Sequence, residues 1–230
     1  MRLVTEVHEG GPSETALDVG CGTGQYSVAL SGSFGRIVGV DFSENMIKTA
    51  KRRAAENKVF NVEFYKRDWK SMTADDPLLK DGYDMVFAHT TPAVSDAASF
   101  SLLVDVCRGT GFCSTPVRRR DGLLAEMWKE LGYDYDGRFD DSDAIRRFGL
   151  LWLRGLNPMM HYEKDVVWNE DRQFEKAIQI CTRDVSRRLG PDSGKEKEVE
   201  EFLRSKAGDE GIVSSVTNTE IATVYWKVGV

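Results

Sequence analysis

Histidine, cysteine and proline are sparse in this chain: 230 residues hold three, four and six of them, and no Cys-x-x-Cys pair. Cys21, Cys107, Cys113 and Cys181 stand far apart, a spacing that supports neither a zinc site nor a disulfide framework, so reduced thiols and no metal are expected. Positive charge is not in excess. The 31 Lys and Arg face 37 Asp and Glu for a formal net charge of −6, which argues against an electrostatic footprint for nucleic acid or an anionic membrane. No apolar run approaches the ~20 residues of a membrane span, and the opening residues lack a signal-peptide core. A cytoplasmic protein with a small-molecule partner is expected, without nucleic acid or membrane. The length suits one buried core plus an embellishment.

Glycine, by contrast, is concentrated where it matters. In Ala16-Leu17-Asp18-Val19-Gly20-Cys21-Gly22-Thr23-Gly24-Gln25-Tyr26 an apolar run stops at an acid and breaks into glycines spaced two apart. A strand feeding such a turn and then a helix brings backbone close to a ligand and leaves amides to face a negative group. The expectation is a nucleotide-like cofactor at the carboxyl edge of a parallel sheet. A dinucleotide fingerprint would need glycine at position 25, where Gln25 stands.

The next segments alternate strand and helix, the pattern of a parallel sheet. Arg36 to Asp41 reads as a buried strand ending in an acid, and Ser43 is placed to cap the helix that follows. That helix runs to about Asn57, with Met46, Ile47, Ala50, Ala54 and Ala55 on one face. Asn61 to Trp69 alternates like a half-exposed strand that ends in Asp68-Trp69, and Asp81 to Pro92 reads as a turn, a fourth buried strand and a loop.

The Asp-x-Gly-x-Gly-x-Gly pattern of Asp18, Gly20, Gly22 and Gly24, followed in order by Asp41, Asp68 and the strand ending at His89, resembles the class I S-adenosylmethionine-dependent methyltransferases. The resemblance covers about residues 15–117 and 211–228. It implies an α/β, Rossmann-like sheet, mostly parallel with a C-terminal antiparallel hairpin, and S-adenosyl-L-methionine as cofactor. It places Asp18, Gly20, Cys21, Gly22 and Gly24 at the cofactor turn, Asp41 on the ribose hydroxyls beside Phe42, and Met46 near the adenosine. Asp68 falls where the family binds the adenine amino group, with Trp69 offering an N–H or a stacking face. The three carboxylates Asp18, Asp41 and Asp68 are expected to converge on one ligand.

His89 ends the strand that faces both cofactor and acceptor in the family. It is the candidate general base, since an ordinary imidazole titrates near neutrality; the alternative is a ring that lines the pocket. The Asn-Pro-Pro-Tyr signature of many amino-group enzymes, the Pro-Cys pair of cytosine C5 enzymes and a magnesium-binding carboxylate are all absent at this strand end. These absences favour a small-molecule acceptor, and the resemblance implies that it attacks the sulfonium methyl in line. Three other readings stay open: a cofactor-binding protein without turnover, a nicotinamide oxidoreductase, and a nucleic-acid methyltransferase.

Residues 1–15 read as a frayed start and a loop, which predicts an exposed cofactor unless a second subunit, as in a homodimer, covers it. A helix over 97–107 precedes a fifth strand over 112–117, where Pro116 suits a strand end or bulge. Arg118-Arg119-Arg120 then forms a solvated face, or Arg119 holds a carboxylate or phosphate of the acceptor. Residues 121–210 are expected to be a mainly helical insert capping the acceptor pocket, separate from a core of 1–120 and 211–230. Within it Ile145, Phe148, Trp152 and Leu156 repeat at helical spacing, a core face unless Trp152 touches substrate. The runs 212–217 and 220–228 read as a hairpin turning at Asn218-Thr219.

Overall fold

The computed structural model describes residues 2–208 and 210–229. Met1 and Val230, at the ends of the two expected core ranges, and Asp209, in the expected insert, lie outside the described residues.

The chain opens on α1 (Arg2–Val7) rather than a frayed end. A helix this short needs tertiary contacts to form, and Leu3, Val4 and Val7 supply them by packing on the cluster around Phe34, Met85 and Phe112. β1 (Gly11–Val19) begins within the stretch 1–15 that reads as a frayed start and a loop, and it pairs in parallel with β2 (Phe34–Asp41), Leu17 opposite Val38. α2 (Gln25–Leu30) joins them. α3 (Glu44–Glu56) is capped by Ser43, whose hydroxyl accepts the Met46 amide at 3.4 Å, and it buries Ile47, Ala50 and Ala54 against Phe64 of β3 (Val62–Lys66). β4 (Tyr83–His89) is followed by α4 (Ala97–Asp105), which starts on a reciprocal cap between Asp96 and Ser99.

β5 (Cys107–Asp121) continues through all three arginines instead of ending before them. After it come α5 (Gly122–Glu130), β6 (Arg138–Phe139), α6 (Ser142–Leu153), β7 (Met159–Gln173), α7 (Phe174–Leu189), α8 (Glu196–Lys206) and β8 (Ile212–Lys227). The sheet order is β3-β2-β1-β4-β5-β8-β7, with β6 paired to β5. β1 to β5 pair in parallel and the C-terminal strands are antiparallel, so the expected fold class is the one observed. The hairpin turn is a correction. Asn218-Thr219 lies inside β8, because Thr217 and Thr219 are almost fully buried, at 0% and 2% exposure, and face the interior rather than a turn. In the sheet β8 lies between β5 and β7.

The chain forms two compact units. The first holds residues 2–115, Ser142–Tyr162 and 222–229; the second holds Pro116–Asp141 and Glu163–Ile221. The expected insert is corrected accordingly, since residues 142–162, with α6, belong to the first unit. Leu151 and Ala144 are fully buried there, and Arg147 donates from Nη2 to the Val94 carbonyl at 2.6 Å. Pro116, which cannot donate to a ladder, stands at the first residue of the second unit. That unit has its own core of Leu123, Met127, Trp128, Cys181, Val199 and Phe202. No helix among the described residues is long and apolar enough to cross a membrane.

Candidate functional site

The glycine turn between β1 and α2 is built by three residues in left-handed conformation, Gly20 at φ 71°, Gly22 at 52° and Gly24 at 71°. Their surroundings differ. A Cβ on Gly20 would stand 2.0 Å from Thr91 Oγ1, and one on Gly24 2.6 Å from Phe64 Cζ, whereas one on Gly22 would meet nothing within 4 Å. Gly20 and Gly24 are therefore small because protein closes on them. Gly22 faces open space.

Four amides of the turn are engaged within the protein. Gly20 and Cys21 donate to the Val40 carbonyl at 2.8 and 3.0 Å, Gly24 donates to the Cys21 carbonyl at 2.9 Å, and Gly22 donates to Asp41 Oδ2 at 3.0 Å. The register of β1 on β2 puts the Val40 and Asp41 acceptors within reach. Arg53 of α3 holds the turn from outside, donating from Nε to the Thr23 carbonyl at 3.0 Å.

Asp41 ends β2 with its carboxylate accepting two amides, Gly22 on Oδ2 and Ser43 on Oδ1 at 2.8 Å. A carboxylate has about four lone-pair sites, so two remain for another ligand. Phe42, which follows it, is 66% exposed, and Met46 on α3 is 43% exposed, apolar surface suited to stacking on a flat ring. Asp68 is exposed, its Oδ1 accepting the Lys70 amide at 3.1 Å.

These residues share a cleft of about 260 Å³. Gly20, Asp41, Phe42, Asp68 and Trp69 line it together with Arg67, Lys70, Thr91, Pro92 and Ala93. The last five carry no signal in the sequence beyond following strand ends. The rim is tied across: Lys70 Nζ donates to Ser95 Oγ at 2.6 Å, and Trp69 Nε1 donates to the Ser99 carbonyl at 2.9 Å. Trp69, 2% exposed, thus has no N–H to offer a ligand, which corrects one of its expected roles.

Asp18, Cys21, Gly22, Gly24, Met46 and His89 are not among the lining residues of this cleft. Asp18 lies beneath the turn, 3% exposed, accepting from Ser27 Oγ at 2.6 Å; burial pushes its carboxyl up to about 7, against the opposing pull of Ser27. The Cys21 thiol is buried and driven well above its ordinary range by desolvation, with the Asp18 and Asp41 charges adding to it, so it is an inert thiol. All four cysteines are free and buried.

His89 is half-buried at the end of β4, its ring 4.5 Å from that of Tyr26. Burial lowers it to about 4. A base that weak is neutral at pH 7 and poorly matched to proton abstraction there. Arg119 belongs to the second unit, where its guanidinium lies 3.6 Å from Glu170 and 5.0 Å above the Trp168 ring; it is engaged within the protein. Trp152, on α6 in the first unit, is 62% exposed and stacks on Phe148 at 6.4 Å, so the expected core stripe is not buried at this position.

A family model described as a methyltransferase domain matches residues 11–127. Over 58 residues the chain is 47% identical to the 23S rRNA (uracil(1939)-C(5))-methyltransferase RlmD of Acinetobacter baylyi, covering 24% of this chain and 12% of that one. Over 53 residues it is 45% identical to the demethylmenaquinone methyltransferase of Oceanobacillus iheyensis, covering 22% of each. The chain therefore spans less than a quarter of the length of either relative. The crystal structure of the YcgJ protein of Bacillus subtilis has the same fold, with a TM-score of 0.55 at 19% identity over 98% of this chain and 96% of that one.

Proposed function

Since the chain belongs to the methyltransferase-domain family, we propose that it is a class I S-adenosylmethionine-dependent methyltransferase acting on a small-molecule acceptor. The observation that carries the reading is Asp41, an acid held by the Gly22 and Ser43 amides at the mouth of a cleft that Phe42 and Asp68 also line. The donor set fits the cofactor: spare carboxylate lone pairs for two ribose hydroxyls, an exposed aromatic ring for a base, and open space over Gly22 where a side chain would intrude.

In this reading Asp41 holds the ribose, Phe42 and Met46 flank the adenine, and Asp68 accepts from its amino group. Asp18 supports the turn from below through Ser27. When bound, the cofactor supplies an electrophilic methyl on a sulfonium, so the protein's task is alignment and exclusion of water. Holding two reactants in attack geometry is worth several kcal/mol, of the ~7–11 available to well-oriented reactions. The loop over Thr91, Pro92 and Ala93 is fixed from two sides, by Thr91 against Gly20 and by Arg147 on the Val94 carbonyl, and so forms a firm wall. His89 contributes a neutral ring. Trp152, exposed, and Phe148, half-buried, on α6 of the same unit are the proposed acceptor contacts, and α6 takes the capping role within that unit.

One relative is named for a ribosomal RNA substrate and another for demethylmenaquinone. The net charge of −6 favours the small molecule, because RNA binding draws on neutralised phosphates. Incubation with methyl-labelled S-adenosylmethionine and either a metabolite extract or total RNA tests this. Label in a metabolite supports the proposal; label in RNA alone, or in neither despite cofactor binding, overturns it.

A further inference from the structure

The second unit has a concave site of its own, about 340 Å³, formed by the end of β5 with α5, β7 and α7. Among the residues lining it are Arg119, Arg172, Arg183, Arg187 and Arg188, against three carboxylates, Asp121, Glu170 and Asp184. In a chain whose net charge is −6, five guanidinium groups around one cavity are a local reversal of sign.

Each carboxylate is already shared. Asp184, 6% exposed, accepts from Trp128 Nε1 at 2.8 Å, is bonded by Arg187 and lies 3.6 Å from Arg188 Nε. Glu170 is bonded by Arg172 and lies 3.6 Å from Arg119. Asp121 caps α5 through the Leu123 and Leu124 amides and also takes Arg172 at 2.7 Å. Arg172 is satisfied by these acids and by Ser215 at 3.0 Å. Arg183 makes no ion pair among the described residues, and Arg188 lies over the rings of Trp128 and Tyr135 at 5.3 and 4.9 Å.

The cavity thus holds two more guanidinium groups than carboxylates. Like charges crowded in a concavity raise its potential, and a doubly charged anion relieves it; the planar guanidinium fork matches phosphoryl oxygens in particular. Leu124, Ile180 and Tyr135 add an apolar side to the same cavity. We propose that this cavity binds a phosphoryl group through Arg183, Arg187 and Arg188, on a ligand separate from the methyl donor.

The full chain is titrated calorimetrically, at constant ionic strength, with inorganic phosphate in one arm and phenyl phosphate in the other. The expected result is saturable binding that falls about tenfold in each of Arg183→Gln and Arg187→Gln, one charge-assisted hydrogen bond being worth roughly that factor. Tighter binding of phenyl phosphate identifies a phosphate monoester that uses the apolar side; equal binding identifies free phosphate. No saturable binding of either probe, or unchanged affinity in both variants, overturns the proposal. S-adenosylhomocysteine binding measured in the same samples reports folding and tests the methyltransferase reading separately.

Discussion

Ser27 donates its hydroxyl to Asp18 at 2.6 Å in the interior, joining the end of β1 to α2 across the glycine turn. The bond favours the charged acid, yet burial outweighs it and the carboxyl sits at about 7. In the unfolded chain the same group titrates near 4. Between about pH 4 and 7 the native state keeps a proton that the unfolded state has lost, so Asp18 removes stability as pH rises through that window and adds no further change above it. Asp18→Asn keeps an acceptor for Ser27 and cannot ionise. Urea denaturation should show the variant gaining on the wild type by a few kcal/mol from pH 4 to 7; parallel curves would reject the assignment.

The three motif glycines should separate folding from binding. Gly24→Ala forces a Cβ onto Phe64 at a left-handed φ and should cost about 2–4 kcal/mol of stability. Gly22→Ala meets no protein atom and should cost only about 1 kcal/mol, while weakening S-adenosylhomocysteine at least tenfold. Thermal unfolding and calorimetry on both variants measure the split, and equal effects on the two properties would contradict the picture.

Asp41→Ala removes the acceptor of the Gly22 and Ser43 amides together with the proposed ribose contact. Charge-assisted hydrogen bonds of this kind are worth roughly 1.5–3 kcal/mol, so S-adenosylhomocysteine should bind about 10–100-fold more weakly. Asp41→Asn, which keeps an oxygen for one amide, should fall between. Wild-type affinity in either variant would remove Asp41 from the site.

His89→Gln distinguishes a lining ring from a base. With the ring neutral above about pH 4, kcat/KM should fall less than tenfold and keep its pH profile, whereas loss of a general base typically costs 10²–10⁴-fold. A fall of that size with a shifted profile would restore His89 as the proton acceptor.

The strand ends were readable in the sequence because a buried strand, its terminal acid and the turn after it are contiguous. Asp18, Asp41 and Asp68 could all be placed at sheet edges from residues within a short stretch. What escaped is what register and packing decide. The acceptors of the turn's amides are Val40 and Asp41 on the neighbouring strand, the indole of Trp69 is captured by Ser99, and Arg53 reaches Thr23 from a different helix. The arginine run reads locally as a solvated face or an acceptor contact, but Arg118 is paired with Asp141 and Glu220, acids distant in sequence that let the strand continue. Asn218-Thr219 has turn chemistry, yet the burial of Thr217 and Thr219 holds it extended. Tertiary context outweighed a local preference there.

The polypeptide crosses from one unit to the other after Thr115, Asp141, Tyr162 and Ile221. No single protease nick or truncated gene product can release either half as an autonomous piece, because each is stitched from segments that the other interrupts. Grafting the arginine-lined cavity onto a different scaffold would accordingly take two splices at matched ends, and ribosomal synthesis must deliver nearly the whole chain before β8 can complete both.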